Sequence, residues 1–82
     1  MTTVAERIRL GRAALKMSQM TLAVAANTNP TQISRYERGE NDPTGTVLIA
    51  LARALNTSSD YLLGLVDDPN PRFNGETIPQ GK

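Results

Sequence analysis

The side chains best suited to chemistry in this sequence lie in one run, Thr31 to Arg38. Thr31, Gln32, Arg35 and Arg38 fall together on one side of a helix at 3.6 residues per turn. A glutamine amide can donate and accept at once and so match adenine. An arginine fork matches O6 and N7 of guanine, and a threonine methyl packs on the methyl of thymine. This chemistry recognises base-pair edges; it does not break bonds. Ser, Thr and Gln are also unremarkable on any solvated helix face, and that reading stays open on the residues alone. Bond-breaking chemistry finds little support. The sequence contains no His and no Cys, which excludes imidazole bases, thiolate nucleophiles, disulfides and Cys/His zinc sites. No Gly-rich phosphate loop or metal-ligand cluster is present, and the carboxylate pair Asp67-Asp68 sits beside Pro69 in a turn-rich segment. The expectation is a protein without catalytic residues, metal or cofactor, and not an enzyme.

The elements that position this run can be read from caps and breaks. A first helix is expected over residues 3–16, with Val4, Ile8 and Leu15 on its apolar face and Arg7, Arg9 and Lys16 on the remainder. Thr2 or Thr3 caps it, and Glu6 completes a capping box with Thr3. Gly11 inside it costs about 1 kcal/mol relative to Ala, which a close helix contact would explain. Ser18 caps a short second helix in which Ala23, Ala25 and Ala26 allow close approach, and Asn27 suits a left-handed turn. Asn29-Pro30 is the clearest local signal: an N-cap, then a residue with no N–H to leave unsatisfied. The third helix therefore runs from Pro30 to its stop at Gly39. Thr44 caps a fourth helix with an apolar stripe of Val47, Leu48, Leu51 and Leu55. Ser58 or Ser59 caps a fifth, with Asp60 in its first turn.

The fold expected is all-α, a compact bundle of five short helices with a helix-turn-helix at helices 2 and 3. The 82 residues allow one domain, assigned to 1–66. Residues 67–82 hold three Pro and two Gly and read as a tail or linker, or as the lead into a further domain. The first ten residues carry charges and no apolar core of a leader. No apolar run approaches the roughly 18 residues of a membrane span, so a cytoplasmic location with no membrane partner is expected. Net charge is only +1, but residues 1–38 carry six basic and two acidic side chains, a balance of +4, whereas 39–82 carry three and six, a balance of −3. The basic half suits a polyanion, although chance asymmetry on a solvated surface gives the same count.

The run MSQMTLAVAANTNPTQISRYERGENDPT followed by VLIALARALNTSSDYLLG resembles the lambda-repressor-like, or Xre, helix-turn-helix family. ISRYERGENDPT at 33–44, SQMTLA at 18–23 and ALNTSSDYLLG at 54–64 carry the likeness most specifically. The resemblance implies a sequence-specific transcriptional regulator of phage or prophage repressor type, binding palindromic operator DNA through the major groove. It assigns base reading to Thr31, Gln32 and Arg35, with Ser34 at a base or phosphate. Phosphate contact falls to Gln19, Asn29, Arg38 and Asn41, and Gln19 also braces the third helix. Arg12 and Glu37 match a partly buried ion pair, which makes Glu37 structural. Pro30 stands where relatives often place a base-reading side chain, Asn27 where a turn glycine is usual, and Gly11 where a core leucine is common. The implied partners are double-stranded operator DNA and a second copy of the chain. Tyr61, Leu62, Leu63, Leu65 and Val66 form the expected dimer patch, with Leu62 and Leu65 equally assignable to the core. An antirepressor or toxin partner is the competing expectation.

Overall fold

The computed structural model describes residues 3–70. Five helices follow one another: α1 (Val4–Ala14), α2 (Gln19–Ala25), α3 (Pro30–Glu37), α4 (Gly45–Ala54) and α5 (Ser59–Leu63). Each begins at a short polar residue, and Thr3, Ser18, Asn29, Thr44 and Ser58 all accept a hydrogen bond from the backbone three residues on. Such caps satisfy N–H groups that a helix cannot satisfy itself, and each contributes about 1 kcal/mol. Thr3 and Glu6 form the reciprocal capping box. Each helix also ends on a left-handed residue: Lys16, Asn27, Gly39, Asn56 and Gly64. At α3, for example, the Gly39 and Glu40 N–H groups bond back to the carbonyls of Tyr36 and Arg35, the Schellman pattern. Paired signals at both ends keep the helices short and the connections tight.

One fully buried aliphatic side chain comes from every helix: Ile8, Leu22, Ile33, Leu51 and Leu62. Each contributes roughly 1.5–3 kcal/mol by leaving water, and no helix can bury its own without the others. Helix α3 packs on α1 and α2, α4 packs on α2 and α5, and α5 packs on α1. Ala23 and Ala26 are buried on α2 and its C-cap, a helix that packs on both α3 and α4, whereas Ala25 is exposed. The contact expected at Gly11 is present: a Cβ there would lie 3.3 Å from Leu55 Cδ1. Leu62 belongs to the core, while Leu63 and Leu65 are exposed.

The face assignment of the first helix needs correcting at two positions. Leu15, the C-cap of α1, is exposed; it lines an open surface groove with Leu10, Leu55 and Tyr61 and is not covered. Arg7, expected on the polar face, is buried. Its Nη1 donates to the carbonyls of Tyr61 (2.8 Å) and Val66 (2.7 Å), its Nη2 lies 2.9 Å from Asp67 Oδ1, and its guanidinium stacks 4.4 Å from the Tyr61 ring centroid. The expected tail begins at Asp67. Its first residues are held to the body there and again where Thr57 Oγ1 donates to the Pro69 carbonyl at 2.5 Å; residues 71–82 lie outside the described residues.

Burial makes the two partners of the Arg7 contact unequal. The Asp67 side chain is 96% exposed against 8% for Arg7, and Asp67→Ala leaves Arg7 its two carbonyls and the Tyr61 ring, so it should cost at most about 1 kcal/mol. Arg7→Ala strands two carbonyls and should cost about 3 kcal/mol. Urea unfolding of the two variants measures this; equal losses would contradict it.

Candidate nucleic-acid interface

Four residues, 26–29, join α2 to α3. Ala26 is buried, Asn27 adopts φ 58°, and Asn29 caps α3 through its Oδ1, which accepts from Gln32 N at 2.9 Å. The first turn of α3 is nearly saturated. Pro30 has no N–H, and those of Gln32 and Ile33 both bond to Asn29. An anion at this helix end therefore has Thr31 N–H as its main backbone donor.

Burial divides α3 lengthwise. Ile33, Tyr36 and Glu37 face the core. Thr31, Arg35 and Arg38 are exposed, and Gln32 and Ser34 are half-buried at the edges of that strip. The side chains expected to read bases thus share the solvent face of one helix. Asn41 joins them from the following loop, where its Nδ2 donates to Gln32 Oε1 at 3.4 Å.

Glu37 holds this helix to the rest of the fold. Its carboxylate lies 2.6 and 3.0 Å from Arg12 Nε and Nη2, a bidentate pair across α1 and α3. Gln19 Nε2 donates to the same carboxylate at 3.2 Å, tying in the start of α2. The hydrogen bond to Glu37 raises the Arg12 pKa further above its ordinary range; burial opposes the rise and the opposite charge adds to it. Arg12 Nη1 also donates to the Met17 carbonyl at 2.9 Å, beyond the end of α1.

Two contributors were not singled out in the sequence. Arg9, one turn before Arg12, donates to the Glu37 main-chain carbonyl at 3.1 Å and so satisfies the C-terminal end of α3. Its spacing from Arg12 was the available signal. Glu40 lies 2.7 Å from Arg38 Nε and 3.3 Å from Nη2, and Arg38 Nη1 also donates to the Ser34 hydroxyl. The Arg38 hydrogen bond holds the Glu40 carboxyl below its usual range, with burial opposing and the charges of Arg38 and Arg35 assisting. Arg38 is correspondingly raised by Glu40. The pair is exposed on both sides, so a stronger anion can compete for Arg38. Among the described residues there is no His/Cys/Asp/Glu group that could hold a metal ion, and no helix is long and apolar enough to cross a membrane.

A short helix packed against a second that presents a polar, basic face outward is a helix-turn-helix module. Comparison with known proteins agrees. Residues 8–62 match the helix-turn-helix family model. The chain is 39% identical over 77 residues to repressor protein C2 of Salmonella phage P22, covering 93% of this chain and 36% of C2. It is 39% identical over 69 residues to the transcriptional regulator DicA of Escherichia coli strain K12, covering 84% of this chain and 51% of DicA. The crystal structure of the P22 c2 repressor with a synthetic operator superposes with a TM-score of 0.75 at 41% identity, over 77% of this chain and 96% of that one. The chain belongs to the lambda-repressor-like helix-turn-helix family. It spans about a third of C2 and half of DicA.

The burial of the Arg12–Glu37 pair fixes what its loss should do. Glu37→Ala strands the Arg12 charge and frees Gln19, and should cost about 3 kcal/mol. Replacing both partners, with Arg12→Met and Glu37→Leu, should cost clearly less than the two single losses added, because no charge is left unpaired. A double-mutant cycle in urea measures the coupling; additive losses would contradict the pair as described.

Proposed function

We propose that this chain is a sequence-specific DNA-binding transcriptional regulator of the repressor type, that α3 enters the major groove, and that it acts on palindromic operators as a dimer. One observation carries the reading: the outward face of α3 presents Thr31, Arg35 and Arg38, edged by Gln32 and Ser34, while Glu37 and Ile33 turn inward. Base reading is assigned to Thr31, Gln32 and Arg35, with Ser34 at the edge. Phosphate contact is assigned to Gln19, Asn29, Arg38 and Asn41. Gln19 remains able to do this because only one of its polar groups is engaged by Glu37. For Asn29, whose Oδ1 caps the helix, the amide nitrogen is the available donor.

Electrostatics separates the two kinds of contact. A phosphate replaces Glu40 at Arg38 and releases counterions whatever the sequence, whereas Arg35 gains only where guanine presents O6 and N7. A single module covers roughly 600–1,000 Å² of DNA interface. That area is small for tight binding and favours two copies on half-sites about 34 Å apart. The exposed Leu63 and Leu65 and the segment fixed by Arg7 form the patch offered for self-association. The proposed role is non-enzymatic and cytoplasmic, in keeping with the phage and bacterial regulators that the chain resembles.

Selection of bound sequences from random duplex DNA tests the proposal. The chain should enrich two half-sites in inverted repeat. Arg35→Ala should relax preference at one position in each half and cost about 1–3 kcal/mol on the enriched site. Arg38→Ala should weaken all duplexes alike and lower the salt dependence by about one phosphate contact. Enrichment of no motif at moderate salt would overturn the reading, and a single unrepeated half-site would overturn the dimer.

A further inference from the structure

Helix α5 has only five residues, and the chain turns back as soon as it ends. Gly64 takes φ 85°, and the Gly64 and Leu65 N–H groups bond back to the carbonyls of Tyr61 and Asp60. A helix of this length has little stability of its own, so the turn needs an outside hold. Arg7 supplies one. Its Nη1 donates to the Tyr61 carbonyl at 2.8 Å and to the Val66 carbonyl at 2.7 Å, and its Nη2 reaches Asp67 at 2.9 Å. One nitrogen thus closes both ends of the turn. The guanidinium also lies over the Tyr61 ring, and Arg7 is itself buried on α1. The turn is therefore tied to the first helix as well as to α5.

The closed turn carries Leu63 and Leu65 outward, 51% and 71% exposed, while Leu62 beside them is fully buried. Two leucines cover far less than the roughly 800 Å² per partner of a stable interface. They suit a second copy that DNA already holds alongside, where a two-fold axis sets the same patch against itself. We propose that Arg7 is a positioning residue for this contact: by closing residues 61–66 it presents Leu63 and Leu65 in a fixed arrangement and so couples two copies on a palindrome. The inference rests on the dimer proposed above. A turn that is already fixed loses no further backbone freedom when the copies meet, whereas each residue left to be fixed at that moment costs roughly ten-fold in affinity. Lysine is no substitute. Its ammonium is a point donor, without the planar fork that serves two carbonyls and a carboxylate while stacking on a ring.

Coupling is measured as the tightening of the second copy by the first, from titrations of the full chain on a duplex with one half-site and on the palindrome. The unmodified chain should fill the second half-site roughly 10–100-fold more tightly than the first. Arg7→Lys should lower that coupling by roughly ten-fold and leave the affinity for one half-site unchanged. Leu65→Ser should abolish it. Ala52→Gly weakens α4 by helix propensity and leaves every Arg7 contact in place, so its coupling should match the unmodified chain. Full coupling in Arg7→Lys would overturn the inference. An equal loss of coupling in Ala52→Gly would also overturn it, because general destabilisation would then explain the effect, as would failure of Arg7→Lys to fold by circular dichroism. If the unmodified chain shows no coupling, or Leu65→Ser leaves it intact, the patch is not the contact; the inference and that part of the dimer reading fail together, while base reading by α3 stands on the half-site affinity.

Discussion

The posture of α3 depends on a single carboxylate. Glu37 is almost fully buried, and its two oxygens receive Arg12 from α1 and Gln19 from α2, while its main-chain carbonyl receives Arg9. Three helices therefore meet at one residue near the end of the helix that must be held outward. Hydrophobic burial of Ile33 and Tyr36 presses α3 against the body, but burial is not directional. Hydrogen bonds to a buried charge are directional, and breaking one side of them is costly. The combination fixes the rotation of α3 about its own axis. That rotation decides which side chains face outward.

The polar face that results is ordered by its own contacts. Asn29 binds the backbone of Gln32, Asn41 binds its side chain, and Arg38 is shared between Ser34 and Glu40. Side chains held in this way lose less entropy when they engage a ligand. Glu40 also places a negative charge within the candidate interface. The Arg38–Glu40 pair balances charge in the free protein and leaves Arg38 exchangeable, because exposed ion pairs are weak. The +4 balance of the first 38 residues is thus moderated where it would meet DNA.

Much of this was legible in the sequence where the governing chemistry is local. The caps at Ser18, Asn29 and Thr44, the left-handed Asn27 and the stop at Gly39 depend on a few neighbouring residues, and each stands where the sequence placed it. Asn29-Pro30 alone located the start of α3. Arg7 was not legible, because its partners are main-chain carbonyls 54 and 59 residues away, and carbonyls carry no side-chain signature. Leu15 misled because periodicity gives a side chain's direction and not whether anything covers it: it lines an open groove with Leu55 and Tyr61. Glu40 reads as an ordinary turn acid until the Gly39 turn brings it back to Arg38. The Asn41–Gln32 contact depends on the same turn. The Arg12–Glu37 relation came from family resemblance, since nothing in the spacing of two residues 25 apart predicts that they meet.

The central claim is that α3 meets DNA from the major-groove side, with Arg35 at a base edge. It is tested most directly by altering one groove at a time in the enriched operator. Replacing guanine by 7-deazaguanine removes the N7 acceptor from the major groove, whereas replacing it by inosine removes the N2 amino group from the minor groove. Binding should weaken at the 7-deazaguanine position that Arg35 reads and should be little changed by inosine at the same position. Weakening by inosine with no effect of 7-deazaguanine at any position would contradict the account, because α3 would then not lie in the major groove.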